Sequence, residues 1–289
     1  MKNKILTLIG IVLNVLAVIS PRLAAKLGLN LFCYPFRVPV SARQRKFLST
    51  AVQSSFHHKG IRIQTYRWGS GPMNILLLHG WQSHTYRWKK YIESLSLTEY
   101  TIYALDAPGH GQSSGRFLHV PLYSEVISMF MMQIGTLEGI IGHSIGGFSA
   151  LYTLHRDKDL TTNNLVTLAS PGEVGEFLEF YQNSLSLSDR MMNLIERRFE
   201  EKFFLSPSDF SAPVFASSLK VPGLIIHDVE DLDAPVIHSK RIHNAWKNSR
   251  LVMTRGFGHN LKSEDVVAEV IEFFNQRTKA PASLTWDLT

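Results

Sequence analysis

The sequence predicts an α/β protein, a mostly parallel sheet with helices on both faces. Three observations carry that expectation. Short, nearly continuous apolar runs recur at 74–78, 101–105, 137–141, 164–169, 221–226 and 249–254, as strands buried on both faces require. Helix-like stretches lie between them, at 85–95, 123–134, 145–155, 236–247 and 263–276. Chemistry-bearing residues follow the ends of several runs: His79, Asp106, Ser144, the cluster His227-Asp228-Val229-Glu230-Asp231, and His259. In sheets of this kind ligands bind at the carboxyl ends of the strands.

Taken from the N-terminus, the first element is apolar from Ile5 to Ile19 except for Thr7, Gly10 and Asn14. At 1.5 Å per residue such a helix is about 23 Å long, short of a hydrocarbon core of about 30 Å. Lys2 and Lys4 precede it in the manner of a signal peptide, but Pro21 directly after Ser20 argues against cleavage there. Phe32 before Cys33 likewise spoils a lipoprotein-type site. Arg22, Lys26, Arg37, Arg43, Arg45 and Lys46 outweigh the two leading lysines, which by the positive-inside rule keeps the main domain in the cytoplasm. The expectation is therefore a membrane-associated helix, transmembrane or monotopic. The alternatives are a helix packed on the body and a cleaved signal on an exported protein. Residues 21–50 read as a basic amphipathic connector, with Pro21 in a first turn and Leu23, Leu27 and Leu31 on one side. On this reading a chain starting near Val38 stays soluble. Ile61–Trp68 roughly alternates and suits an antiparallel edge strand. The organisation expected is 1–50 as an N-terminal attachment and 51–289 as the main domain. One stretch, about 173–220, interrupts the alternation of strand and helix. It is rich in Phe and Met, with Met191, Leu194, Ile195, Phe199 and Phe203 on one helical side.

Composition excludes several classes. At 289 residues with 45% hydrophobic content, the chain suits one large packed domain with an insertion. Its one cysteine, Cys33, forms no intrachain disulfide. The twelve histidines are scattered without zinc spacing, and no phosphate-binding or dinucleotide-binding glycine motif follows a strand. No metal and no cofactor is expected. The net charge of +6 is unevenly spread: residues 1–92 hold fourteen Lys or Arg and no acid, leaving sixteen basic and twenty-four acidic residues after them. A basic first third beside an apolar helix points to an anionic membrane surface as partner. No aromatic-interleaved basic motif supports nucleic acid.

Gly142-His143-Ser144-Ile145-Gly146 places a serine between a strand and a helix, with glycines two before and two after. This spacing lets strand and helix pass at a sharp turn and exposes the serine oxygen. Serine needs a base, and the base an orienting acid. Both kinds of residue occur downstream, in the order Ser144, the carboxylates around residue 231, then His259. A peptide N–H just past 74–78 is positioned to bind an oxyanion. A glycine-rich turn that happens to contain a serine is the alternative.

With these motifs in order, the chain resembles the α/β-hydrolases. The shared signs are His79-Gly80-Trp81, Asp106-x-x-Gly109-x-Gly111-x-Ser113, Gly142-His143-Ser144-Ile145-Gly146-Gly147, a carboxylate after the penultimate strand, and Gly258-His259 after the last. The resemblance implies Ser144 as nucleophile, His259 as base, and Asp231 as the acid. It implies backbone N–H groups of Trp81 and Ile145 as the oxyanion hole. The family usually reads His-Gly-x-x-Asp where this chain has Asp228 in place of the glycine. Counting from His227 still reaches Asp231, while Asp228, Glu230 and Asp233 are rivals. His143 points away from the site by strand alternation and is expected to pack; His79 and His110 resemble family positions that brace loops, and Asp106 is expected to bond backbone in its turn. The resemblance makes 173–220 a helical lid and implies an ester, thioester or lipid ester with an apolar part as substrate. A serine at the elbow speaks against dehalogenase or epoxide hydrolase chemistry, which needs an aspartate there. A carbon–carbon bond hydrolase with the same triad and a non-catalytic scaffold on the same fold are the alternatives.

Overall fold

The structure, a computed structural model, describes residues 2–278. Its strands are β1 (Val52–His58), β2 (Ile61–Trp68), β3 (Met73–Leu78), β4 (Tyr100–Leu105), β5 (Gly139–His143), β6 (Leu165–Leu168), β7 (Gly223–Asp228) and β8 (Ser249–Thr254). They form one sheet in the order β1-β2-β4-β3-β5-β6-β7-β8. β2 runs antiparallel to β1 and β4; every other pair is parallel. The helices are α1 (Lys2–Ile19), α2 (Pro21–Phe32), α3 (Ala42–Leu48), α4 (Lys89–Ser94), α5 (Val120–Ile134), α6 (Ile145–Arg156), α7 (Val174–Leu185), α8 (Asp189–Phe203), α9 (Ala212–Ser217), α10 (Ile237–Ala245) and α11 (Glu264–Thr278).

Side chains in a strand alternate between faces, so a strand that is apolar throughout must be covered twice. Leu76 and Leu78 of β3, Ile140 of β5 and Ile225 of β7 share one buried cluster with Tyr123 and Ile127 of α5 and Phe148 and Leu151 of α6. Their neighbours Ile75, Leu77, Ile141, Leu224 and Ile226 share the other with Tyr91 and Ile92 of α4 and Val266, Val270 and Phe274 of α11. The two-layered cover expected from the continuous runs is present.

β1 has no counterpart in the sequence reading. It is the edge strand, mostly exposed, and its Val-Gln-Ser-Ser-Phe-His-His carries no apolar run. The signal that betrays it is Lys59-Gly60, both at positive φ (48° and 75°), a turn that joins two antiparallel strands.

The N-terminal helices correct the expectation of a transmembrane segment. Among the described residues no helix is long and apolar enough to cross a membrane. Instead α1 and α2 pack on the helices inserted between β6 and β7, chiefly α7 and α8. The polar and small interruptions of the apolar run make this contact. At Gly10 a Cβ would fall 1.7 Å from the Leu185 carbonyl oxygen, so only glycine admits the close approach. Asn14 Nδ2 donates to the Ser186 carbonyl (3.0 Å), and its Oδ1 accepts from the Ser188 N–H (2.8 Å). Arg190 Nε donates to the Ala17 carbonyl (3.0 Å). Leu13, Ala17, Ala24 and Leu29 are buried in the same cluster as Met191, Met192 and Ile195 of α8.

A chain starting near Val38 therefore leaves α8 with its apolar side uncovered, and the sequence expectation that it stays soluble is reversed. Burying one leucine contributes about 1.5–3 kcal/mol, so loss of Leu13 and Leu29 alone is a large share of a domain's stability. The expected result is a melting temperature at least 5 °C lower, or aggregation, in differential scanning calorimetry. A truncated chain that melts like the full one would contradict the packing.

Candidate active site

β5 ends at His143, and α6 begins at Ile145; Ser144 alone makes the turn, at φ 52° and ψ −127°. A non-glycine residue in such a conformation costs about 1–3 kcal/mol and persists only where its surroundings hold it. Here they do. A Cβ on Gly142 would lie 2.5 Å from Gly147 Cα, and one on Gly146 would lie 2.2 Å from the Leu78 carbonyl oxygen. The strand, the helix and the end of β3 thus press together around the serine.

His259 follows β8 and approaches from the side: its Nε2 lies 3.0 Å from Ser144 Oγ, and its Nδ1 lies 2.8 Å from Asp231 Oδ2. Asp231 Oδ1 accepts the N–H groups of Asp233 and Ala234, both at 2.9 Å. Burial alone would raise the Asp231 carboxyl, but bonds from His227, His259 and the Ala234 N–H outweigh it and hold the group well below the usual carboxylate range. Asp231 is thus ionised and aimed at the imidazole.

Two of the other acids have partners elsewhere. Asp228 Oδ2 accepts from the Phe257 N–H (3.0 Å) and Thr254 Oγ1 (2.9 Å), and Oδ1 accepts from the Glu230 N–H (2.9 Å). It pins the end of β7 to the loop that carries His259. Glu230 pairs with Arg255 at the surface. Among the described residues Asp231, Asp233 and His259 bring their ligand-type atoms within 4.8 Å of one another. Asp231 and His259 of this cluster are already bonded to each other.

The loop after β3 lies over the serine: a Cβ on Gly80 would be 2.9 Å from Ser144 Cβ. Trp81 on that loop and Ile145 at the helix start both line the cavity that exposes Ser144. The first N–H groups of a helix lack partners in a preceding turn. His79 and His110 brace the loop. His79 Nδ1–H donates to the Gly80 carbonyl (2.8 Å) and Nε2 accepts from the Ala107 N–H (2.9 Å). His110 Nδ1–H donates to the Pro108 carbonyl (2.9 Å) and Nε2 accepts from the Gln82 N–H (3.1 Å). Asp106 accepts from the N–H groups of Thr85 and Gln112 and from Thr85 Oγ1 and Tyr66 O–H.

Two contacts on the His259 loop lie outside the sequence reading. His143 Nε2–H donates to the His259 carbonyl (2.8 Å), although strand alternation marked it as a packing residue. Arg87 Nη2 donates to the Asn260 carbonyl (3.2 Å). Neither shows in the sequence, because both partners are main-chain carbonyls more than a hundred residues away.

The cavity measures about 790 Å³. Leu118, Val174, Phe177, Phe199, Phe203 and Phe210 form an apolar wall drawn mainly from the insertion; Phe32 at the end of α2 adds to it.

The chain is similar to several known proteins. Residues 72–201 match the family model described as serine aminopeptidase, S33. The chain is 29% identical over 140 residues to a pimeloyl-[acyl-carrier protein] methyl ester esterase of Proteus mirabilis, covering 45% of this chain and 51% of the relative. It is 32% identical over 111 residues to a monoacylglycerol lipase of Mycolicibacterium smegmatis, covering 34% and 40%. It thus spans about half the length of these relatives or less. Mouse alpha/beta hydrolase domain-containing protein 10 superposes with a TM-score of 0.62 at 14% identity, covering 79% of this chain and 98% of that one.

Burial, above all, lowers His79, His110 and His119 to about 3. An unfolded histidine titrates near 6.5. Between these values the unfolded chain binds more protons, so the stability these residues contribute is complete above pH 6.5 and declines as pH falls towards 3. Melting temperature should therefore drop between pH 7 and pH 5, and His110→Gln should make the slope shallower. A melting temperature flat across that range would contradict the buried neutral imidazoles.

Proposed function

We propose that this chain, whose residues 72–201 match the S33 family model and whose fold is that of the α/β-hydrolases, is a serine hydrolase cleaving an ester, thioester or lipid ester through an acyl-enzyme on Ser144. The observation that carries the reading is the continuous line of bonds from Asp231 through His259 to Ser144, at 2.8 and 3.0 Å. His259 Nε2 takes the serine proton as Oγ attacks the acyl carbon. The carbonyl oxygen becomes an oxyanion, bound by the N–H groups of Trp81 and Ile145. The carbon–oxygen or carbon–sulfur bond then breaks, and His259 hands its proton to the leaving atom. Water, deprotonated by the same imidazole, releases the acid. Asp231 holds the imidazole in the tautomer with Nδ1–H and stabilises its charged form. The intact set of groups favours a catalyst over a scaffold, and the names of the esterase and lipase relatives favour ester over carbon–carbon cleavage.

The Phe-rich wall suits an apolar acyl chain, with α7 and α8 as a lid. We place the protein at an anionic membrane surface without crossing it. Ile5, Leu8, Val12, Val15 and Ile19 form one exposed stripe on α1, continued by Leu23 and Leu27, beside exposed Lys4, Arg22 and Lys26. The positive-inside argument for a cytoplasmic location applies to a spanning helix and lapses here. Sedimentation with anionic vesicles should be partly reversed by 1 M salt, because the basic residues are screened and the apolar stripe is not; no affinity at any salt would contradict the surface.

Ser144→Ala should lower hydrolysis of p-nitrophenyl octanoate by several orders of magnitude with unchanged circular dichroism. Asp231→Asn should cost about 10⁴-fold in kcat, by analogy with the serine-protease triad. Asp228→Asn should act mainly on the melting temperature. Activity within about tenfold of wild type in Ser144→Ala would overturn the triad.

A further inference from the structure

We propose that the polar wall of the cavity, formed by Arg87, His84 and Lys262, is an anion subsite that receives a phosphate carried by the substrate's leaving group. The inference rests on the hydrolase reading above and names the chemistry of the group that departs.

The cavity lining is of two kinds. Besides the phenylalanines, Gln44, His84, Arg87 and Lys262 line it, and Asp233 is its only lining acid among the described residues. Arg87 sits on the tight turn Thr85–Trp88. Its guanidinium carbon lies 5.0 Å from the Trp88 ring centroid, Nη2 is held by the Asn260 carbonyl, and Nε is buried with no hydrogen-bond partner. Among the described residues Arg87 has no ion-pair partner within 4.0 Å. Arg87 is half-buried, and a partly desolvated cation without a counter-charge is costly. That cost shows in the guanidinium, which burial lowers to about 10 despite Tyr91 nearby; it still carries full charge at neutral pH.

His84 adds a second polar group. The residue is only 5% exposed and lines the cavity. Burial, opposed by Asp106 and joined by Lys262, keeps the imidazole uncharged, so it offers one N–H. Lys262 stands exposed on the loop just after His259 and has no ion-pair partner among the described residues. A guanidinium, an imidazole and an ammonium thus reach one space from two separate segments. A tetrahedral phosphate, with several acceptor oxygens in different directions, suits such a set.

The position assigns the phosphate to the leaving group. Arg87 is bonded to the main chain of the residue after His259, so it sits against the loop that carries the proposed base. His259 is the group that protonates the departing atom, and the apolar wall is left for the acyl chain. The reaction balances as above: the acyl carbon transfers to Ser144 Oγ, and a phosphate-bearing alcohol or thiol leaves with the serine proton.

Such a phosphate could belong to a glycerophosphate ester or to a phosphopantetheine thioester, and the test separates the two. Calorimetry on the full chain measures binding of glycerol 3-phosphate against glycerol, and of 4′-phosphopantetheine against pantetheine. In parallel, kcat/KM is measured for the octanoyl derivative of each. One phosphate-bearing member should bind at least tenfold tighter than its neutral partner and react with a correspondingly higher kcat/KM. Which pair shows this identifies the source. Arg87→Met should erase most of that ratio, and Lys262→Gln at least threefold of it. A purely structural role for Arg87 would lower both members of a pair alike and leave the ratio intact. Equal binding of charged and neutral members, or a ratio untouched by both variants, overturns the subsite while octanoyl ester turnover leaves the hydrolase reading standing. Phosphate-selective binding that depends on Arg87, with no turnover of any derivative, keeps the subsite and overturns the hydrolase reading.

Discussion

Three pieces of backbone meet at Ser144: the end of β5, the first turn of α6 and the carbonyl end of β3. Their contact distances leave no room for a side chain at Gly142 or Gly146, and they hold the serine at φ 52°. That conformation costs free energy, and the packed sheet supplies it. The position of every other group follows from this one. β7 and β8 lie farther along the same sheet, so the loops after them deliver Asp231 and His259 to the edge where the serine oxygen stands. The loop after β3 passes over the serine and brings Trp81 beside it.

The groups around this turn fall into supports and reagents. His79, His110 and Asp106 hold the loops after β3 and β4 through main-chain bonds. Asp228 and His143 do the same for the loop carrying His259. Burial keeps the supporting histidines uncharged and therefore predictable as acceptors and donors. The insertion lines the cavity, and the N-terminal helices rest on the insertion. A surface that binds lipid through α1 would therefore press on the helices that cover the cavity.

Much of this was legible in the residues. The continuous apolar runs specify a sheet covered on both sides, because a strand has only two faces to bury. The elbow could be read because close approach demands glycine at fixed spacing. Asp231 was reached by counting from His227 even though Asp228 replaces the usual glycine; that substitution costs no register, since Asp228 turns its carboxylate to the main chain of the next loop. β1 escaped because an exposed edge strand needs no apolar pattern. The N-terminal run misled because the same apolar residues suit a lipid surface and a protein surface. Gly10 and Asn14 held the answer, but their partner, the turn between α7 and α8, is more than 170 residues away. His143 and Arg87 were illegible for the same reason: they bond to carbonyls, which every residue carries.

The central claim is that Ser144 is a nucleophile activated by His259. It is tested most directly by mass spectrometry of the full-length protein after reaction with a fluorophosphonate. The account predicts a single adduct, located on the peptide containing Ser144, absent in Ser144→Ala and formed much more slowly in His259→Ala. A protein that stays unlabelled while folded, or that carries the label on another serine, would contradict it.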